Sequence, residues 1–276
     1  MTTRRDFVVA GLAAMALPGV SAATDINANP EALLRALIKL RGSLDERPVF
    51  SWLSGMRYGV VDGRIDPIYR MHAGSVQLYR RINDRRYEMI MLELSYFADV
   101  DTGKPLKAFK NPYSGRVVEI PQQKLGPYKI FLTTEGVEIP RDPAFGEFEL
   151  RTQLGPAVVQ NDDIWIREDS FINVDSDHPM MGKHTYNEFV TYHGSLADVK
   201  NEALVSAPVD VTYQSVTSWR KWMGAEGVGG QTTARAAGSK VFALEDLPVE
   251  YLRVMRDWYP EIMQDPVSVL RELQGD

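Results

Sequence analysis

The strongest constraint on the fold is the way turn residues punctuate the centre of the chain. From Val49 to Trp219, runs rich in Val, Ile, Thr, Tyr, Phe and Trp are broken by Asp62-Gly63, Asn83-Asp84-Arg85, Asp99-Val100-Asp101-Thr102-Gly103 and Asn111-Pro112-Tyr113-Ser114-Gly115. Asp-Gly pairs tolerate the positive φ of tight hairpins, and a proline presets the second position of a turn. The pattern predicts strands over 49–61, 77–82, 87–98, 117–120, 128–133, 145–154, 164–172, 183–193 and 209–219. No regular helices separate these runs, which disfavours a doubly wound α/β sheet. The expected fold is mainly β: an antiparallel β-barrel of about ten strands, or a strongly bent sandwich, braced by N- and C-terminal helices.

Those helices have their own signals. Asn29 is placed as an N-cap with Pro30 at the first helical position, and Leu33, Leu34, Leu37, Ile38 and Leu40 form an apolar face before Gly42 stops the helix. Ser195 and Asp198 resemble a capping box for a short helix reaching about Leu204. Asp246-Leu247-Pro248 and Asp265-Pro266 open two more. Between them and the last strand, the glycine-rich stretch 224–238 reads as a mobile loop or lid.

Residues 1–23 read as an address. Arg4-Arg5-Asp6-Phe7 precede an uncharged run from Val8 to Val20 that ends in Val20-Ser21-Ala22 and Ala23, a small-residue cleavage site. The run is too short and too rich in Gly and Ala to span a bilayer. It resembles the twin-arginine (Tat) signal, which implies the Tat machinery as an export partner and a periplasmic or secreted destination. Residues 24–276 are expected to form a single β-rich domain. No later run is apolar enough for stable membrane insertion. The absence of cysteine excludes disulfides, thiolate metal sites and thiol nucleophiles, and a formal charge of −6 argues against a nucleic-acid partner.

Three groups of residues look like a family signature. They are Arg41-Gly42-Ser43-Leu44 with Trp52 and Gly55; the Asp101-Thr102-Gly103 and Asn111-Pro112-Tyr113-Ser114-Gly115 turns; and Trp219 with Trp222-Met223-Gly224, Leu247-Pro248 and Tyr259-Pro260. Together they resemble a bacterial Tat-exported family catalogued as a domain of unknown function, number 1838. The resemblance implies export and a single domain, and it brings no catalytic residue.

Motif by motif, the chain offers little standard chemistry. The 224–232 glycine run has no lysine where a phosphate-binding loop needs one. Asn173, Asp175 and Asp177 alternate like calcium-loop ligands, but His178 and His184 stand where Gly and Glu belong. On one strand His184 and His193 are about 30 Å apart on opposite faces, so they cannot share an ion. No metal and no cofactor are expected.

The strand 183–193 is more informative as a surface. His184, Tyr186, Glu188, Val190 and Tyr192 share one face, and neither face is plainly apolar. Ile164-Trp165-Ile166 runs directly into Arg167-Glu168-Asp169, and the face of Val209, Val211 and Tyr213 turns polar towards Ser215. Mixed faces suit either a ligand-holding barrel interior or a wet outer sheet. In the first case His184, Glu188 and Asp169 are the acid–base candidates. Arg167 is a fork for a carboxylate, and Tyr186, Tyr192, Trp165 and Tyr213 are the walls and hydrogen-bond donors of a substrate site.

Three readings follow. One is a cofactor-independent isomerase, cyclase, lyase or hydratase acting on a small, partly aromatic or isoprenoid molecule. The second is a non-catalytic periplasmic carrier of such a ligand. The third is a structural protein without a pocket.

Overall fold

The computed structural model describes residues 25–140, 147–175 and 182–274. The expected export signal, the start of the strand expected at Phe145 and the Asp177-His178 part of the calcium-like run lie outside them. Among the described residues thirteen strands are formed: β1 Val49–Val61, β2 Arg64–Asn83, β3 Arg86–Ala98, β4 Ala108–Lys110, β5 Val117–Glu119, β6 Gln123–Thr133, β7 Gly136–Glu138, β8 Glu147–Leu154, β9 Val158–Gln160, β10 Asp163–Asp175, β11 His184–Ser195, β12 Asp210–Thr217 and β13 Gln231–Val241. Helices of the described residues include α1 Pro30–Arg41, α2 Leu196–Lys200, α3 Val249–Trp258, α4 Pro260–Gln264 and α5 Pro266–Gln274.

One antiparallel sheet runs in the order β7-β6-β3-β2-β1-β13-β12-β11-β10-β8, with β9 on the side of β10. It curls until its ends meet, giving the nearly closed barrel that the turn spacing implies. The two end strands are stitched by one side chain. Thr152 Oγ1 of β8 accepts from the Val137 amide at 2.6 Å and donates to the Val137 carbonyl at 3.2 Å. The stitch needs Gly136, whose Cβ would stand 2.3 Å from Thr152 Oγ1.

Sharp curvature comes from glycines where strands press together. A Cβ on Gly238 would lie 1.7 Å from the Trp52 carbonyl oxygen, and one on Gly55 would lie 2.0 Å from that of Arg235. Only a residue without a side chain fits such a corner.

Helix α1 plugs one end. Asn29 caps it by accepting from the Glu31 and Ala32 amides. Leu34, Leu37, Ile38 and Leu40 are buried against the barrel interior. Gly42 ends it, but not in the left-handed conformation that favours glycine there; φ is −141°. Its reason is space, because a Cβ would strike the Tyr79 ring at 2.3 Å. The freed helix carbonyls of Lys39 and Gly42 are taken by the buried Lys240 ammonium at 2.5 and 2.7 Å. Helices α3–α5 cover the outer face of β1–β3, where Tyr251 fills the notch left by Gly74 and donates to the Leu94 carbonyl at 2.9 Å.

Two expectations need correction. The strand expected at 77–82 begins at Arg64; Pro67 sits where the β1–β2 register shifts, the one place a sheet interior tolerates proline. The stretch expected to be a mobile lid contains β13, paired on both sides to β1 and β12. Its Thr232 and Ala234 are fully buried. Small residues mark close strand packing here, not freedom.

Replacing Thr152 with Val keeps the shape and removes the stitch. Urea denaturation is expected to show a loss of about 0.5–1.5 kcal/mol, the net worth of a hydrogen bond between half-buried groups. An unchanged midpoint would mean that the seam holds without it.

Candidate functional site

The barrel holds a partly open cavity of about 570 Å³, within the range of small-molecule sites. One register row shows how the wall presents its polar groups. Tyr69 stands opposite Arg57, Arg57 opposite Ala234, Ala234 opposite Ser215, Ser215 opposite Glu188, Glu188 opposite Ser170, and Ser170 opposite Thr152. Tyr69, Arg57, Glu188, Ser170 and Thr152 line the cavity. Ala234 and Ser215 between them are fully buried by their neighbours and do not line it.

The floor is an ion pair. Arg41 projects from the last turn of α1, and its Nη1 donates to both Glu168 carboxylate oxygens, at 2.7 and 2.5 Å. Burial opposes the Arg41 charge, yet Glu168 outweighs it and holds the guanidinium pKa well above its ordinary value. Tyr192 lies beside this pair. Burial raises its phenol pKa, with Arg41 pulling the other way.

Above the floor Glu188, Tyr186 and Tyr213 form a chain. The Tyr186 hydroxyl donates to Glu188 Oε2 at 2.5 Å and lies 2.7 Å from the Tyr213 hydroxyl. What surface Glu188 and Tyr186 keep faces the cavity. Burial is the main cause that pushes the Glu188 pKa up to about 7; Tyr186 opposes it, and the neighbouring Glu168 and Glu93 carboxylates add to it. Glu93, which accepts from Ser95 at 2.9 Å, is also pushed up by burial. The Tyr186 and Tyr213 phenols are held protonated by burial first and by Glu188 second. A carboxyl that gains and loses its proton near neutrality, wired to two phenols, can take a proton from carbon or oxygen or deliver one there.

The upper wall carries Arg57, Arg220, Tyr69, His184, Phe97 and Trp222. Its lid joins two turns that stand far apart in the sequence. The Asn111 side chain donates to the Met223 carbonyl at 2.8 Å while its Oδ1 accepts from the Tyr113 and Ser114 amides. Phe109 packs edge-on against Trp222, and Tyr113 against Trp219. The β4–β5 hairpin therefore clamps the Lys221–Met223 turn over the barrel, and Gly224 (φ +63°) lets that turn pass Val118. The asparagine and tryptophan signature read from sequence is the machinery of this clamp.

Of the expected site residues, Tyr186, Glu188, Tyr213 and His184 line the cavity. His184 Nδ1 lies 3.2 Å from the Gly182 carbonyl. Tyr192 points inward but below the cavity, beside the floor pair. The structure corrects the other three. Trp165, Arg167 and Asp169 point outward, because β10 alternates and its inward set is Ile164, Ile166, Glu168 and Ser170. Trp165 stacks on His193 outside the barrel, 4.8 Å between ring centres, and Asp169 accepts from Gln153 at 3.2 Å. Their expected roles in the site are withdrawn. Sequence reasoning missed Arg41, Arg57, Glu93, Glu168 and Arg220. Glu168 was findable by parity with Ile164 and Ile166, and Arg41 by helical spacing from Leu34 and Leu37.

No group of His, Asp or Glu among the described residues is arranged to hold a metal ion, and none of their helices is long and apolar enough to cross a membrane. A nearly closed antiparallel barrel around a buried, ionisable pocket is the class of protein these features define. A family model described as a protein of unknown function (DUF1838) matches residues 46–273, and the chain belongs to that family. No curated protein and no solved structure matches it.

The raised Glu188 pKa has a sign that can be checked. The unfolded chain releases this proton near 4.5 and the folded one near 7. The stability from the neutral carboxyl is therefore full below about pH 4.5 and is lost as the pH rises to about 7. In urea titrations across that window, the wild type is expected to lose more stability than Glu188→Gln. Equal slopes would put this carboxyl in contact with water.

Proposed function

We propose that this protein is an exported, cofactor-independent acid–base enzyme that isomerises, cyclises, hydrates or cleaves a small, largely apolar molecule inside the barrel. The observation that carries the reading is the Glu188–Tyr186–Tyr213 chain, a near-neutral carboxyl in line with two phenols on the wall of the barrel cavity. Glu188 takes or gives the substrate proton. When it is anionic, Tyr186 donates to it and Tyr213 donates to Tyr186; when it is protonated, both donors turn round. The chain thus follows the proton without moving a heavy atom, which is the preorganisation that acid–base catalysis needs. His184, on the same strand face and nearer the clamp, is a second proton carrier. Met91, Ile130, Ile172 and Leu150 supply an apolar wall for the rest of the substrate.

Isotopically labelled water tests this with a mixture of metabolites in place of one chosen substrate. Small-molecule extract from the native host is incubated with the protein in D2O or H2¹⁸O and followed by mass spectrometry. The wild type is expected to label one compound. Glu188→Gln and Tyr186→Phe are each expected to slow labelling by about 100-fold or more at an unchanged melting temperature. A compound that co-purifies with the protein but is never labelled would support the carrier reading instead.

Export rests on Arg4 and Arg5. Replacing both with Lys is expected to retain the chain in the cytoplasm of a bacterial host, as read by fractionation. Undiminished export would assign residues 1–23 to the general secretory route.

A further inference from the structure

The upper cavity holds two guanidinium groups that the proton chain does not use. Arg57 comes from the centre of β1 and is 7% exposed; its Nη1 donates to Thr232 Oγ1 at 2.9 Å. Arg220 comes from the segment clamped by the β4–β5 hairpin and lies over the Tyr186 ring, 5.6 Å from its centre. Both line the cavity. Among the described residues neither has a carboxylate within ion-pair distance, whereas the third cavity arginine, Arg41, is fully paired with Glu168. Burying two like charges side by side without a counter-ion is costly. Burial and then Arg57 pull the Arg220 pKa down; burial also opposes the Arg57 charge, but Tyr69, Tyr213 and Tyr186 outweigh it and leave its pKa raised. The groups that share their surroundings are the Tyr69, Tyr186 and Tyr213 phenols and the Glu93 carboxyl, which burial pushes towards its neutral form while Arg220 pulls the other way. Phenols donate hydrogen bonds but neutralise nothing while protonated.

We infer that Arg57 and Arg220 form a receptor for an anionic group on the ligand, a carboxylate or a phosphate, held at the clamped end of the cavity. This deepens the proposed function, on which it rests for the direction of the ligand. Arg57 and Glu188 stand three strand spacings apart along one register row, roughly 14 Å round the wall. An anion seated between the two guanidiniums, with the Tyr69 phenol beside them, leaves the apolar body of the ligand in the part of the cavity lined by Phe97, Met91, Ile172 and Glu188. The anion thereby fixes which carbon meets the proton chain. It also ties binding to the clamp, because Arg220 reaches the cavity only while Trp222 and Met223 are held by Phe109 and Asn111. Guanidinium forks bind both candidate anions through paired N–H donors, and the planar two-oxygen form suits a carboxylate best.

Three naphthalene probes that differ only in their polar group test the site: 2-naphthoate, 2-naphthyl phosphate and 2-naphthalenemethanol, titrated against full-length protein by calorimetry at pH 7. At least one anion is expected to bind ten times or more tightly than the neutral alcohol, and whichever anion is tighter identifies the head group. Arg220→Gln is expected to bring anion and alcohol within about twofold of each other with the alcohol's affinity unchanged, and Arg220→Lys to restore part of the preference. Thermal melting of both variants checks folding. If Arg220→Gln does not fold, raising the salt concentration with the wild type is expected to weaken the anion selectively. An alcohol that binds as well as both anions, a preference that survives Arg220→Gln, or no binding of either anion overturns the inference. Glu188→Gln is expected to keep the anion preference intact. Wild-type protein that prefers the anion but labels no compound from water would therefore sink the enzyme reading alone, and wild-type labelling without an anion preference would sink only this one.

Discussion

The Arg41–Glu168 pair is the interaction on which the architecture turns. It ties the last residue of the plugging helix to the inner face of β10, and in doing so sets the depth at which the barrel is stoppered. A buried ion pair adds little net stability over an apolar pair of the same size. Its effect is geometric: removing either partner would leave a charge stranded in the lumen, so helix and wall must stay in register. The same carboxylate helps to keep the Glu188 proton in place, so the stopper and the Glu188 carboxyl are electrostatically coupled. Lys240 makes a second such tie from β13 to the same helix end, with the Ser206 hydroxyl at 2.6 Å.

Above that floor the interior is graded. Paired charge lies at the stoppered end, the carboxyl–phenol chain is in the middle, and the Arg57 and Arg220 guanidiniums lie under the clamp. Uniform polarity would merely have filled the lumen with water. Segregated polarity distinguishes one end of a guest from the other, which is how a few polar groups among apolar walls impose orientation.

How much of this is legible in the chain alone depends on how many faces of each strand are buried. The barrel, its hairpins and the caps at Asn29 and Ser195 follow from local chemistry that the chain displays openly. Tyr186, Glu188 and Tyr213 were legible because β11 and β12 show their mixed faces in alternation. The parity of β10 was not, because Trp165 looks as apolar as its inward neighbours while stacking on His193 outside. Strand β3 is buried on both sides, by the lumen and by α3–α5, so nothing in its run of Met, Ile and Leu says which way Glu93 points. Arg57 and Arg220 belong to elements more than 150 positions apart in sequence, and no local pattern could bring them together. Strand β13 was missed for a different reason: alanine, threonine and glycine resemble a loop until neighbouring backbones press against them.

The seam at Thr152 bears on how a guest gets in. In a cylinder sealed by a full ladder, girth is dictated by strand number and shear. Among the described residues the circumference is completed here by one hydroxyl, so the wall behaves as a cuff, not a pipe. Releasing that hydroxyl parts β7 from β8 and leaves every ladder of the sheet intact, and Leu150 and Val137, which flank the gap, already face the pocket. For the ligand proposed above, this seam is the stretch of wall that parts with the fewest hydrogen bonds broken.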